Sequence, residues 1–244
     1  TWLAGTCGTC DYCRRGEENL CPNAEFTGFS RCGGYAEYVT ARADFAYKLP
    51  PSIDPVAVAP LLCAGLIGYR TWRKAGSAER IGLYGFGAAA HILAQVLIQE
   101  HKAVYAFTRP GDTLTQDFAR RLGVQWAGGS DTAPPEALDA ALIFAPVGAL
   151  VPTALKAVRP GGSVVCGGIH MSDIPRFPYR LLWQERRLLS VANLTREDGR
   201  EFLRRCIALP IETATRTYAL SEANRALDDL RAGRIEGAAV LRME

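Results

Sequence analysis

The chain has 244 residues, 48% hydrophobic and 22% charged, with a formal net charge of +3. That is enough for a sizeable core and two domains, and so mild a charge makes no case for nucleic acid or an anionic membrane. No apolar run approaches the roughly 18 residues of a spanning helix, and the N-terminus lacks a basic-then-apolar signal pattern, so the reading is a soluble, cytoplasmic protein.

Residues 1–34 are rich in Gly, Cys and polar side chains, with little periodicity. From Gly33 to Leu49, Tyr, Val and Phe lie between polar residues and predict one or two strands. Prolines 50 to 60 punctuate the chain before a helix over 61–76, closed by Gly76. From Arg80 onward short apolar strands alternate with helices. Strands are predicted at 80–85, 103–108, 124–128, 140–145, 163–168 and 187–193, with helices at 88–101, 114–123 and 149–162. A helical turn is expected around Tyr179 to Trp183. Strands that are apolar throughout imply a parallel sheet covered on both faces. The chain then predicts a helix at 196–207, a Thr-rich strand at 212–218, a helix at 221–232 with Ser221 as its N-cap, and a last strand at 238–243.

Eight cysteines are present, and four of them, Cys7, Cys10, Cys13 and Cys21, have the spacing C-x2-C-x2-C-x7-C. Three cysteines at this interval can wrap one ion from a tight loop that Gly5, Gly8 and Gly16 allow to turn, and the fourth closes it. Four thiolates fill the tetrahedron of zinc and leave no open position, so the role is structural. Two disulfides are disfavoured in a large, core-rich intracellular chain. An iron–sulfur cluster is the sharper rival, because Pro22 follows Cys21, but the last gap is seven rather than three.

Gly85, Gly87 and Ala90 form G-x-G-x-x-A between a strand and a helix. This pattern suits a dinucleotide pyrophosphate: a tight turn, close backbone approach, and a small residue where helix packs on strand. Ala88 and Ala89 start that helix, whose N-terminus faces the anion. The second strand of the series ends on Thr108 and Arg109, with no carboxylate before Asp112. An uncharged hydroxyl and a guanidinium suit the 2′-phosphate of NADP better than the ribose of NAD, with an ordinary solvated arginine as the alternative.

A four-cysteine knot ahead of such a domain resembles the zinc-containing medium-chain alcohol dehydrogenases over the whole chain. "GGYAEYV", "APLLCAGLIGY", "GFGAAAH" and "VRPGGSVVCGG" all resemble that family's segments. The resemblance implies an α/β fold: a Rossmann doubly wound parallel sheet at 63–205, with a partial, mainly β catalytic domain at 1–62 carrying the structural zinc lobe, to which 206–244 return. It implies hydride transfer between an alcohol or carbonyl carbon and the nicotinamide of NADP or NAD, at a catalytic zinc that polarises the oxygen. It makes Cys63 one catalytic-zinc ligand, and places Ala145, Pro146, Gly168, Ile169 and His170 beside the cofactor. Ala238 takes the place where some members carry an arginine near the pyrophosphate. Small alcohols or aldehydes are the implied substrates, and a homodimer or homotetramer through "RLLSVAN" the implied assembly.

The family's other catalytic-zinc ligands lie upstream of the knot, and His91, His101 and His170 do not replace them. The chain opens on Thr1 and reads as a truncated enzyme that begins partway through the catalytic domain. The alternatives are a non-catalytic nucleotide- and zinc-binding relative and, more remotely, an iron–sulfur electron carrier.

Overall fold

The computed structural model describes residues 3–209 and 211–243. The chain divides into two compact units, one of residues 1–66 and 192–244 and one of residues 67–191. Residue 244, the end of the last segment matched by resemblance, lies outside the described residues.

In the first unit, β1 (Leu3–Gly5) pairs antiparallel with β2 (Glu25–Phe26), which flanks the cysteine loop and its short helix α1 (Asp11–Arg14). The strands expected over 33–49 do not form; only a 3-10 turn at Ala43–Phe45 is regular. Tyr35, Tyr38 and Val39 are exposed there, and no described strand pairs with the segment. Alternating β-formers make a strand only where a neighbour completes the ladder. Helix α2 (Pro55–Val58) is capped by Asp54 through the Val56 amide at 3.0 Å. A 3-10 turn at Ala59–Leu62 follows, and the chain breaks at Cys63 before α3 (Ala64–Ala75).

The second unit is the alternating series. Its elements are β3 (Arg80–Tyr84), α4 (Ala88–Gln99), β4 (Ala103–Thr108), α5 (Thr113–Arg121), β5 (Trp126–Gly129), β6 (Leu138–Ile143), α6 (Leu150–Ala157), β7 (Val158–Cys166) and β8 (Arg187–Ser190). The helix expected to reach residue 162 ends at Ala157, because the Val158 segment joins β7 and pairs with Leu138. The six strands stand in the order β5-β4-β3-β6-β7-β8, and every pairing is parallel. This is a doubly wound sheet with its switch point between β3 and β6.

The pleat sorts the apolar side chains into two cores. Ile81, Leu83, Val104, Ala106, Leu142 and Val165 point to one face, with Leu93 and Leu97 of α4. Tyr84, Tyr105, Phe107, Ala141, Ile143 and Val164 point to the other, with Val151 and Leu155 of α6. Tyr84 and Phe107 stack at 4.1 Å across neighbouring strands. At the strands' N-terminal end Asp139 is buried and accepts from the Glu79 and Arg80 amides (3.1 and 2.8 Å) and from the Arg80 and Arg159 guanidinium groups.

Helix α7 (Arg196–Ala208) lies in the first unit. Thr195 and Asp198 close its start as a reciprocal capping box. Strand β9 (Thr215–Ala219), helix α8 (Ala223–Arg231) and β10 (Ala238–Arg242) complete the unit, with β9 and β10 parallel. Ser221 is not the cap of α8: the chain enters through a 3-10 turn at Leu220–Glu222, and Glu222 reaches back to the Ala219 amide at 3.1 Å.

Candidate metal centre and nucleotide crevice

The four cysteines at positions 7, 10, 13 and 21 converge. Their sulfur atoms all lie within 4.8 Å of one another. Three of the separations are 4.0 Å (Cys7–Cys13), 3.5 Å (Cys10–Cys13) and 3.6 Å (Cys7–Cys21). A zinc ion at about 2.3 Å from each of four tetrahedral thiolates requires sulfurs about 3.8 Å apart, so the donor set fits that metal in number, type and size. Gly8 and Gly16 hold left-handed φ angles of 73° and 76° where the loop reverses.

Backbone amides turn toward the sulfurs. The Cys10 amide donates to Cys7 Sγ at 3.3 Å and the Cys7 amide to Cys21 Sγ at 3.5 Å. Hydrogen bonds from Thr9 and then Cys10 pull the Cys7 thiol down to about 6. At Cys10 the Cys13 amide pulls the same way, but desolvation and the neighbouring thiols outweigh it and hold the group at about 11.

Cys63 stands apart. It sits at the break between the 3-10 turn and α3, with φ −131° and ψ −75°. Its residue is exposed, and partial desolvation raises its pKa. The four-cysteine loop is the one group of three or more His, Cys, Asp or Glu side chains gathered at metal-binding distance among the described residues, and Cys63 is not in it.

In the second unit the expected nucleotide residues gather at the C-terminal ends of the strands. Gly85 ends β3 at φ 88°, and a Cβ there would lie 2.7 Å from the Ala145 amide nitrogen. Only glycine allows β3 and the end of β6 to approach so closely at the switch point. Gly87 is the N-cap of α4, and nothing lies within 4 Å of its Cβ position. Ala88 and Ala89 open the helix and Ala90 is fully buried against the sheet. His91 is buried one turn in, with Nδ1 3.2 Å from the Gly87 carbonyl, while His101 is exposed past the helix end.

Thr108 is buried at the end of β4. Its hydroxyl lies 3.0 Å from the Arg109 carbonyl and accepts from Gln116 Nε2 at 3.1 Å. Arg109 is exposed. Asp112, the first carboxylate after the strand, is consumed as the cap of α5, accepting from the Thr115 amide and hydroxyl. Pro146 is exposed beyond β6, and Gly168, Ile169 and His170 follow β7, the last two exposed.

Two sets of residues escape sequence reading. Gly148 donates its amide to Ser172 Oγ at 2.9 Å, tying the loop after β6 to the loop after β7. A Cβ on Gly148 would meet the Asp173 and Ser172 carbonyls at 2.2 and 2.3 Å. Glu18 and Asn19, inside the cysteine loop, bind a segment more than 170 residues away. Neither pairing leaves a local signal, since each joins residues 24 or more positions apart.

Residues 1–51 match the family described as "Alcohol dehydrogenase GroES-like domain". The chain is 47% identical over 243 residues to a probable alcohol dehydrogenase, AdhA, of Mycobacterium tuberculosis (strain CDC 1551 / Oshkosh), covering 98% of this chain and 70% of that protein. Among solved structures it is similar to the alcohol dehydrogenase of the hyperthermophilic archaeon Aeropyrum pernix, with TM-score 0.86 and 25% identity over 99% of this chain and 75% of that one. It is also similar to acetophenone reductase of Geotrichum candidum NBRC 4597 in complex with NAD, with TM-score 0.87 and 25% identity over 98% of this chain and 72% of that one. With the cysteine loop, the glycine turn at the sheet's switch point and nearly half of its residues shared with a relative along almost its whole length, the chain belongs to the zinc-containing medium-chain alcohol dehydrogenase family.

Proposed function

We propose that this protein acts in NAD(P)-linked hydride transfer between a small alcohol and its aldehyde or ketone, and that its four-cysteine loop holds one structural zinc. The observation that carries the nucleotide part is the Gly85 turn against Ala145 at the β3–β6 switch point. When bound, the nicotinamide cofactor supplies or accepts the hydride.

The chain's own residues bind and orient it. The free amides of the first turn of α4 face the pyrophosphate, and the open space above Gly87 lets it approach. Thr108 and Arg109 receive the adenosine end. The Asp112 carboxylate is held by α5, so it does not compete for the ribose hydroxyls, and this supports NADP over NAD. Ala145, Pro146, Gly168, Ile169 and His170 form the rim toward the nicotinamide. Cys7, Cys10, Cys13 and Cys21 fix the metal that shapes the lobe. Cys63 is the one residue here proposed as a ligand of a catalytic zinc, which would polarise the substrate oxygen.

The segments 1–62, 63–205 and 206–244 are read as catalytic, cofactor and returning catalytic parts. The position of β8 at the edge of the sheet supports a homodimer or homotetramer. A second reading, a nucleotide- and zinc-binding protein without turnover, draws on Cys63, which among the described residues belongs to no group of three or more candidate metal ligands.

Titration with NADPH and NADH, metal analysis, and an assay of alcohol oxidation on one preparation separate these readings. Binding with turnover supports the enzyme, and binding without turnover supports the second reading. If neither nucleotide binds, or if Gly85→Val binds as well as the parent, the crevice is misassigned.

A further inference from the structure

Glu18 and Asn19 make contacts that metal ligation does not require. They open the 3-10 turn Glu18–Leu20, between the third and fourth cysteines of the loop. Each is only 7% exposed. Glu18 Oε1 accepts from the Arg196 amide at 2.7 Å and from its Nε at 3.0 Å, and Oε2 accepts from Nε at 2.9 Å and Nη2 at 2.6 Å. Asn19 Nδ2 donates to the Ala192 carbonyl at 2.7 Å.

The receiving segment, 192–196, is where the chain re-enters the first unit and starts α7. Arg196 is framed on its other sides as well. Its guanidinium lies 4.5 Å over the Phe45 ring, its Nη1 is 3.5 Å from Asp44, and the Tyr47 hydroxyl donates to its carbonyl at 3.2 Å. Burial alone would raise the Glu18 carboxyl, but Arg196 reverses this and holds it below the ordinary glutamate value. A carboxylate seated on the first amide of a helix also gains from the helix dipole.

We propose that metal occupancy of the four-cysteine loop and order at the N-terminus of α7 form one linked equilibrium, with Glu18 as the positioning residue that couples them. This rests on the structural-zinc reading above. A metal joining Cys13 and Cys21 closes the segment between them before Glu18 meets Arg196, so the ion pair forms with less ordering entropy set against it. Linkage is reciprocal. Seating Glu18 on α7 must raise metal affinity by the same factor, although Glu18 offers nothing to the metal.

The test uses the full chain. Zinc content of the parent is measured first, then zinc affinity by competition with a chromophoric chelator for the parent and for Arg196→Gln. Hydrogen exchange of the parent is followed with and without zinc. The coupling predicts roughly tenfold weaker zinc binding in Arg196→Gln at unchanged far-ultraviolet dichroism. It also predicts faster exchange at the amides of residues 196–199 on zinc removal, while α4 stays protected. Equal zinc affinity in a folded Arg196→Gln overturns it, as does equal protection of 196–199 in the two metal states or loss of protection everywhere at once. If Arg196→Gln does not fold, the exchange comparison on the parent decides alone. A parent that binds no zinc sinks the metal reading itself, which is a different failure from a parent that binds zinc without moving α7.

Discussion

The two compact units are held together by different physics. In the second, 67–191, strands that are apolar on both faces bury two side-chain layers against helices, and Ile81, Leu83, Tyr105, Phe107, Leu142 and Val164 are almost wholly excluded from water. Its cohesion is spread over many contacts of similar worth. In the first unit the strands are two to five residues long, and a smaller set of buried apolar side chains, Phe45, Leu61, Phe202 and Leu203 among them, is supplemented by polar joints: four sulfurs, Glu18 with Arg196, and Asp229 with Tyr218 and Arg234. A sheet core degrades gradually when one side chain is trimmed. A unit built on joints fails when one joint goes.

The largest effect expected from that contrast is at the metal loop. Cys21→Ser should lower bound zinc to near zero and abolish cooperative melting of the first unit, since metal-binding free energy on the order of 10 kcal/mol is folding free energy in small thiolate sites. The second unit should keep its own transition. Metal analysis with calorimetry checks both, and a single unshifted transition after metal loss would erase the contrast.

Leu93→Ala comes next, from the other side. Leu93 is fully buried on α4, and its truncation should cost about 2–5 kcal/mol in chemical denaturation, without altering zinc content.

Asp139 forms a joint of the same kind at the base of the sheet. Asp139→Asn should cost about 2 kcal/mol at neutral pH, a value reduced because the arginine partners are partly solvated. Burial pushes the Asp139 carboxyl up, but Arg80, Arg159 and the two amides reverse that and depress it strongly. A depressed folded value means the stabilisation is full above the ordinary aspartate value and fades as pH falls below about 4. The melting temperatures of the parent and of Asp139→Asn should therefore converge in acid. A gap that stays constant or widens would count against the arginine pairing.

The smallest effect is expected at the crevice. Arg109→Ala should weaken NADPH by about 1 kcal/mol and leave NADH nearly unchanged, because an exposed guanidinium meets a phosphate through solvent. Equal losses for both nucleotides would reassign Arg109 to the surface.

Much of the second unit was legible because local and global signals agree there. The β3 turn carries its glycines at the spacing a phosphate loop needs, and strands such as "AVYAFT" are apolar on both faces wherever they lie in the sheet. The first unit was legible at the cysteines, whose chemistry is written in their spacing, and in α7, β9, α8 and β10, which follow the periodicity of residues 196–243. Residues 33–49 have the alternation of strands and form none, because pairing is a property of the neighbour as well as of the segment. Ser221 has the chemistry of a cap and is bypassed by a 3-10 turn.

By itself, the sequence determined the four-thiolate donor set, the glycine turn and the alternating parallel series, since each rests on residue type and short-range spacing. Only the tertiary structure decided that Glu18 sits on the first amide of α7, that Asp139 takes Arg80 and Arg159 together, and that Cys63 falls at a helix break away from the cysteine group. Those pairings join residues 20 to 178 positions apart, or depend on where one element stops and another starts. Neither burial nor partnership of that kind has a local period, so it becomes visible only when the chain has folded.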